Sequence, residues 1–258
     1  MTDLERCLAF LREHSYRIST PGESGRFGTA LLFPELPNVW SINYVVAERD
    51  LDAATAEALA AEADDLLGRA GLTHRKVEVW DETSGARLAD EFRALGWHVE
   101  HDLVFVQRRP PDREPDLSRV EEVDVETLLP AWKAGISSDF AGKQDVVRQL
   151  AEHKRVLAAD GARFFAARVA GAIASYCDLY VDADTAQIES VMTLERFRNR
   201  GLARAVVMAA LEAARADGHD LVFLLADDAD WPKALYEKLG FERQGSIYEF
   251  TLRSGSPN

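Results

Sequence analysis

Apolar residues recur along this chain with two periods. At 201–217 they fall at Leu202, Ala205, Val206, Ala209 and Ala213, the 3.6-residue repeat of a helix with one buried face. Residues 220–226, Asp-Leu-Val-Phe-Leu-Leu-Ala, form a nearly continuous apolar run, as in a parallel strand covered on both faces. Residues 184–193 read as the strand before that helix. Residues 231–239 read as a short helix stopped by Gly240, and 241–252 as a closing pair of strands.

The first half repeats this order. Residues 38–46 are strand-like, 53–70 form an Ala/Leu-rich helix ended by Gly71, and 76–80 alternate as a strand. Residues 84–95 form a helix stopped by Gly96, and 97–106 return as strand. Leu95-Gly96-Trp97 answers Leu239-Gly240-Phe241 at an offset of 144, and Arg75 answers Leu221 at an offset of 146. A near-constant offset over several elements points to a duplicated unit; two unrelated βαβαβ units would also look alike. A strand–helix–strand unit implies parallel pairing across its crossover. Short turns such as Val169-Ala170-Gly171 imply antiparallel neighbours. The expected fold is α/β (α+β): two mixed sheets, each flanked by helices.

Between the halves, residues 108–115 hold three prolines and five charges, a composition that predicts an extended, exposed linker. The expected domains are 1–109 and 117–258, joined by 110–116.

The charge balance narrows the partners. Thirty Lys and Arg against 44 Asp and Glu give −14, which argues against non-specific nucleic-acid binding but does not exclude a cationic substrate, which an acidic protein would attract. Cys7 and Cys177 are too few for a disulfide scaffold or a zinc ribbon, and the six histidines show no metal spacing. No apolar run has the length of a membrane span, and the first residues mix acids and bases. A cytoplasmic protein without membrane or metal partners is expected; nothing in the sequence sets its oligomeric state.

Against that acidic background, residues 188–205 (IESVMTLERFRNRGLARA) stand out. A strand ends, a basic loop follows, and a helix opens at Gly201. The unsatisfied N–H groups and positive dipole end of a helix start form a site for phosphate. Gly201 and Ala203 keep the backbone approachable, and Arg198, Arg200 and Arg204 add positive charge. A solvated basic helix start with Gly201 as a simple turn residue is the other reading.

Arg198-x-x-Gly201-x-Ala203 resembles the Arg/Gln-x-x-Gly-x-Gly/Ala signature of the GNAT acetyltransferase superfamily, placed between strand and helix as in that family. Leu235-Tyr236-Glu237-Lys238-Leu239-Gly240-Phe241 is similar to the family's Leu-Tyr-x-x-x-Gly-Phe segment on the next helix. The resemblance covers residues 117–252. It implies acetyl-CoA as co-substrate and direct acetyl transfer to an amine, small-molecule or peptide. It implies a pyrophosphate on the backbone amides of Asn199, Arg200, Gly201, Leu202, Ala203 and Arg204, and a pantetheine arm along Val191, Met192 and Thr193. It also implies a cleft where the fourth and fifth strands of the domain splay. The family's usual asparagine seven residues before the tyrosine is Ala229 here, so no contact is carried over from that loop.

Acyl transfer to an amine sets two proton tasks: the ammonium loses one and the leaving thiolate gains one. Tyr236 matches the family position that donates to the sulfur; a packing tyrosine is the alternative. Glu189 is the candidate base, a carboxylate on an apolar strand, with Val191 and Thr193 on its face by the period of two. A salt-bridged Glu189 is the alternative, and Asp178 the next candidate. Cys177 reads as a small apolar filler. Trp132, Asp139 and Phe140 read equally as pocket wall or as core and cap.

In the first half Thr55 falls where Gly201 stands, in a loop with three acids and no glycine, and Asp52 is the expected helix cap. Phe92 stands where Tyr236 does. That half is expected to be a degenerate, non-catalytic copy. Gly22, Gly25 and Gly28 predict a flexible loop. An acyl-CoA-binding sensor without turnover is the alternative function; an interaction scaffold with both sites dead fits less well with the intact loop.

Overall fold

The computed structural model describes residues 1–230 and 232–252. These form two compact units: 1–10, 105–225 and 232–243 in one, and 11–104, 226–230 and 244–252 in the other. The division differs from a simple split at 110–116, because both terminal segments belong to the unit of the opposite half.

The unit built mainly from the second half has antiparallel strands β6 (Val120–Val123), β7 (Arg163–Val169), β8 (Ala172–Asp182) and β9 (Thr185–Thr193), and then β10 (Leu221–Asp227), which runs parallel to β9. Helices α4 (Val125–Ile136) and α5 (Gln144–Ala159) cover one face, with Leu128, Leu129, Trp132 and Ala151 packed on Phe164, Ala166, Ile173 and Tyr176. Trp132 is therefore core. Helix α6 (Leu202–Ala216) covers the other face, where Cys177 Sγ meets the carbonyl of Val206 at 3.3 Å. Burial drives that thiol's pKa well above its ordinary range, as expected of an apolar filler. Helix α7 (Pro232–Lys238) begins on a proline, which its first turn tolerates; Trp231, expected to open it, lies outside the described residues.

The other unit runs β1 (Thr20–Ser24), β2 (Gly28–Leu32) and β3 (Tyr44–Ala47), antiparallel, then β4 (Arg75–Val79), parallel to β3. The pairing of β1 to β4 thus repeats that of β7 to β10. Helix α2 (Ala56–Arg69) joins β3 to β4 as α6 joins β9 to β10. Helices α2 and α3 (Glu82–Ala94) bury Leu59, Leu66, Leu88 and Phe92 against Val45, Val77, Val79 and Phe250. Helix α1 (Asp3–Ile18) and strand β5 (His98–Gln107) contribute residues to both units.

Four expectations are corrected. Residues 241–252 form one strand, β11 (Phe241–Leu252), not a pair: Tyr248 lies opposite Val79 and Leu252 opposite Arg75, so its end has a partner in β4 and does not fold back. The strand expected over 38–46 shortens to Tyr44–Ala47, because Asn43 binds the backbone of Phe33, Leu36 and Val39 at 2.8–3.0 Å and shapes the approach into a turn. The glycine-rich stretch 22–28 is no flexible loop. Glu62 on α2 accepts backbone N–H groups of Arg26, Phe27 and Gly28 at 2.8–3.1 Å. A side chain at Gly25 would strike that carboxylate, and one at Gly28 would come within 2.5 Å of the Val46 carbonyl. Helix α2 is capped by Thr55, whose hydroxyl accepts from Ala58 N at 3.2 Å; Asp52 lies in a preceding 3-10 turn.

Linker residues 108, 109, 110 and 112 to 114 are exposed, as composition predicts, but held. The N–H groups of Arg108 and Arg109 reach the Gly240 carbonyl at 2.9 and 3.0 Å, and Asp112 N reaches that of Lys238 at 2.8 Å. A Cβ at Gly240 would collide with the carbonyl of Arg109, so the glycine serves this approach as well as its left-handed φ of +86°. No helix among the described residues is long and apolar enough to cross a membrane.

Candidate active site

The pairing of β9 with β10 is short. It joins Thr185, Ala186 and Gln187 to Leu221, Val222 and Phe223. Yet β9 continues to Thr193 and β10 to Asp227, so the two strands part beyond Gln187. Residues 185–188 are buried and 189–193 half-exposed. A cleft opens where the strands diverge. The corresponding pair in the other unit has none: β3 and β4 stay paired to their ends, at Ala47 and Val79.

A β-bulge marks the same place. Glu189 faces Asp178, but the next pair along the ladder is Met192 with Tyr176. Three steps on β9 answer two on β8, and Ser190 takes the left-handed φ of +55°. The extra residue shifts the alternation. Cross-strand partners share a face, so Glu189 and Met192 point with Asp178 and Tyr176 towards α4 and α5. A Cβ at Gly135 of α4 would meet both the Tyr176 hydroxyl and Met192 Cγ, at 2.6 and 3.3 Å. Thr193 turns to the opposite face, where its hydroxyl lies 2.8 Å from that of Ser175. The shared face expected for Glu189 and Thr193 is thereby corrected; a period of two holds only in an unbroken ladder.

Glu189 accepts from Gln187 Nε2 at 2.9 Å and from the N–H of Ser190 at 3.1 Å. Opposite it, Asp178 is fully buried. Lys154 Nζ and the Tyr180 hydroxyl both donate to its Oδ2, the latter at 2.8 Å. Burial and the neighbouring Asp178 hold the Tyr180 phenol well above its ordinary pKa.

Past Thr193 a 3-10 turn, Glu195–Phe197, leads into the basic loop. Arg196 and Arg200 stand over the Phe197 ring at 4.8 and 5.7 Å, and Arg198 Nε reaches back to the Thr193 carbonyl at 3.4 Å. Asn199 and Gly201 both have positive φ, at +63° and +74°. Gly201 is the N-cap of α6 with no side-chain cap, and nothing lies within 4 Å of where its Cβ would be. Residues 198–201 are exposed and Ala203 half-exposed. The first-turn N–H groups of α6 thus open onto free space with positive charge around them, which fits a diphosphate. Arg204 differs from its neighbours. It is buried, and Nη1 pairs with Asp112 Oδ1 at 2.6 Å, so its charge is spent on the linker.

Tyr236, on α7, is 6% exposed, with its ring edge-on to that of Phe241 at 6.2 Å. Among the described residues no group of three or more His, Cys, Asp or Glu side chains could hold a metal ion. Sequence reasoning missed Lys154, which lies in no motif, and passed over Ser190 within the stretch 188–205 because nothing in its residue type marks a bulge.

Residues 130–241 match the sequence model of the Acetyltransferase (GNAT) family. No curated protein matches the chain. Several solved structures share its fold. A conserved protein of unknown function from Staphylococcus epidermidis aligns with a TM-score of 0.70 at 16% identity, over 92% of this chain and 94% of its own. A GCN5-related N-acetyltransferase from Kribbella flavida aligns at 0.64 and 16%, over 98% and 95%. A tandem GNAT protein from the clavulanic acid biosynthesis pathway aligns at 0.58 and 15%, over 96% and 89%.

Proposed function

We propose, on the match of residues 130–241 to the model of the Acetyltransferase (GNAT) family, that the chain is an acetyl-CoA-dependent N-acetyltransferase acting on a small-molecule or peptide amine. The observation that carries this reading is the pairing of an opened strand edge with an uncapped, glycine-led helix start. Members of the family use acetyl-CoA, which supplies an activated thioester when bound. The backbone amides of Asn199, Arg200, Gly201, Leu202, Ala203 and Arg204 receive its pyrophosphate, with Arg198 and Arg200 adding charge. The edge of β9 at Val191, Met192 and Thr193 receives the pantetheine arm as an added strand would, and a backbone N–H there polarises the acyl carbonyl. Glu189 takes the proton from the incoming ammonium, through water, and Tyr236 offers its hydroxyl to the departing thiolate.

In this reading 117–258 is the catalytic copy, 110–116 the linker and 1–109 a degenerate copy. The repeated strand pairing supports the duplication. The continuous ladder of β3 with β4, and the Thr55 cap in place of an open glycine, support the loss of a second site.

Calorimetry with acetyl-CoA tests the proposal. One site per chain is expected, abolished by Gly201→Glu, which adds bulk and like charge where the pyrophosphate sits. An undiminished affinity in that variant overturns it. A sensor without turnover is the second reading, favoured by the burial of Tyr236 against Phe241. Thiol release across a broad panel of amines separates the two.

A further inference from the structure

Lys154 sits where a cation is costly. Its residue is 4% exposed, and Nζ lies 5.8 and 5.9 Å from the ring centroids of Trp132 and Phe164. An ammonium leaves water only for strong partners. Here it has two, on different strands: Asp178 Oδ2 on β8 and Ser190 Oγ on β9, the latter at 3.2 Å. Those two strands are the ones that fall out of step at this point. Ser190 carries the left-handed φ of the bulge, a conformation a serine keeps only when its surroundings hold it there. Its N–H donates to Glu189 Oε1. The chain of contacts runs from α5 through the Lys154 ammonium to the bulge, and from the bulge to the candidate base.

We propose that Lys154 is a positioning residue: by clipping Ser190 to the buried Asp178 it sets the β9 bulge, and so fixes both the strand edge offered to the pantetheine arm and the aim of Glu189. An ammonium suits the task because its donors diverge. Two reach Asp178 and Ser190, and the cation rests on aromatic faces. Asp178 is then the anchor of the clip and not the base. Tyr180 braces it from the same strand through the hydroxyl that donates to Asp178 Oδ2. The pyrophosphate loop takes no part, for none of its residues bonds to the clip's groups.

This inference rests on the acetyl-CoA reading above, and amide-resolved hydrogen exchange with acetyl-CoA separates the two. In the wild type, saturating acetyl-CoA slows exchange at 191–193 and at 199–204 by about tenfold or more. Ser190→Ala leaves the Lys154–Asp178 pair whole and removes the hydroxyl through which Lys154, and beside it Tyr180, reaches the bulge. Lys154→Gln keeps a donor but removes the charge. Both variants should retain the slowing at 199–204 and lose it at 191–193. Should Lys154→Gln not fold, Ser190→Ala decides alone. Wild-type slowing at 191–193 in Ser190→Ala overturns the clip. So does an equal loss in both segments, which is plain destabilisation. No slowing in either segment of the wild type overturns the acetyl-CoA reading itself, and the clip's role with it.

Discussion

Glu91 Oε2 accepts the backbone N–H of Ala56 at 2.9 Å, so a carboxylate from α3 closes the start of α2. With Thr55 taking the N–H of Ala58, two side-chain oxygens of the chain itself occupy the helix end that corresponds to the open start of α6. An anion arriving there would meet like charge and fewer free donors. Calorimetry is expected to give one acetyl-CoA per chain; two would undo this account. Glu91→Ala should cost about 0.5–1 kcal/mol, read as a fall of a few degrees in Tm, without creating a second site.

Tyr236→Phe keeps the ring packed edge-on to Phe241 and removes only the hydroxyl. If that hydroxyl serves the leaving thiolate, kcat falls roughly 10–100-fold, at the weak end of acid catalysis, with the acetyl-CoA KM little changed. Steady-state kinetics at saturating acceptor give the answer, and wild-type turnover would return Tyr236 to packing.

Glu189→Gln keeps one oxygen, which can accept from Gln187 Nε2 or from the Ser190 N–H but not from both as the carboxylate does, and it cannot take a proton. The acidic limb of the kcat/KM profile should flatten, and the loss should shrink at high pH, where the amine deprotonates unaided. A structural Glu189 would instead lower Tm and leave the profile's shape intact. An unchanged acidic limb removes Glu189 from the mechanism, and solvent acting on an amine of low pKa becomes the next candidate, because Asp178 is buried and bonded to Lys154.

Two buried groups in the other unit pull stability in opposite directions with pH. Burial lowers the His74 imidazole to about 4, despite its bond to the Asn43 carbonyl at 2.7 Å. Between about 4 and its ordinary 6.5 the unfolded chain binds a proton that the folded one refuses, so stability rises with pH there. Burial raises the Glu78 carboxyl to about 7, against the pull of Lys76 and helped by Glu249. Between 4.5 and about 7 the folded chain keeps a proton the unfolded one has lost, so stability falls as pH rises. Denaturant unfolding of His74→Gln and Glu78→Gln across these windows should expose each slope. The wild-type advantage over His74→Gln shrinks by up to about 3 kcal/mol as pH falls; that over Glu78→Gln shrinks as pH rises. Differences that do not vary with pH would refute both assignments.

What could be read from the sequence was local. Gly201 between a basic loop and a periodic helix carries its chemistry in the residue types, and Leu239-Gly240-Phe241 marks a helix stop wherever it occurs. The bulge at Ser190 could not be read, because one extra residue changes no composition and a period of two cannot register its own slip. Gly25 and Gly28 mislead because glycine signals freedom and close approach alike; only Glu62 and the Val46 carbonyl decide between them. The engagement of Arg204 with Asp112 spans 92 positions, and no local pattern announces such a pairing.

Strand β11 has a consequence for how the chain is made. Its residues 248–252 lie in register against 75–79, so a strand needed by the earlier-synthesised unit is delivered only after residues 105–225 of the other unit. Until then β4 lacks that neighbour, and Phe250 is missing from the core around Phe92, whose ring it stacks on at 4.0 Å. Native assembly of this unit is therefore completed only once residues 248–252 have emerged, and a nascent chain stalled at the linker would carry an open sheet edge exposed to wrong pairing.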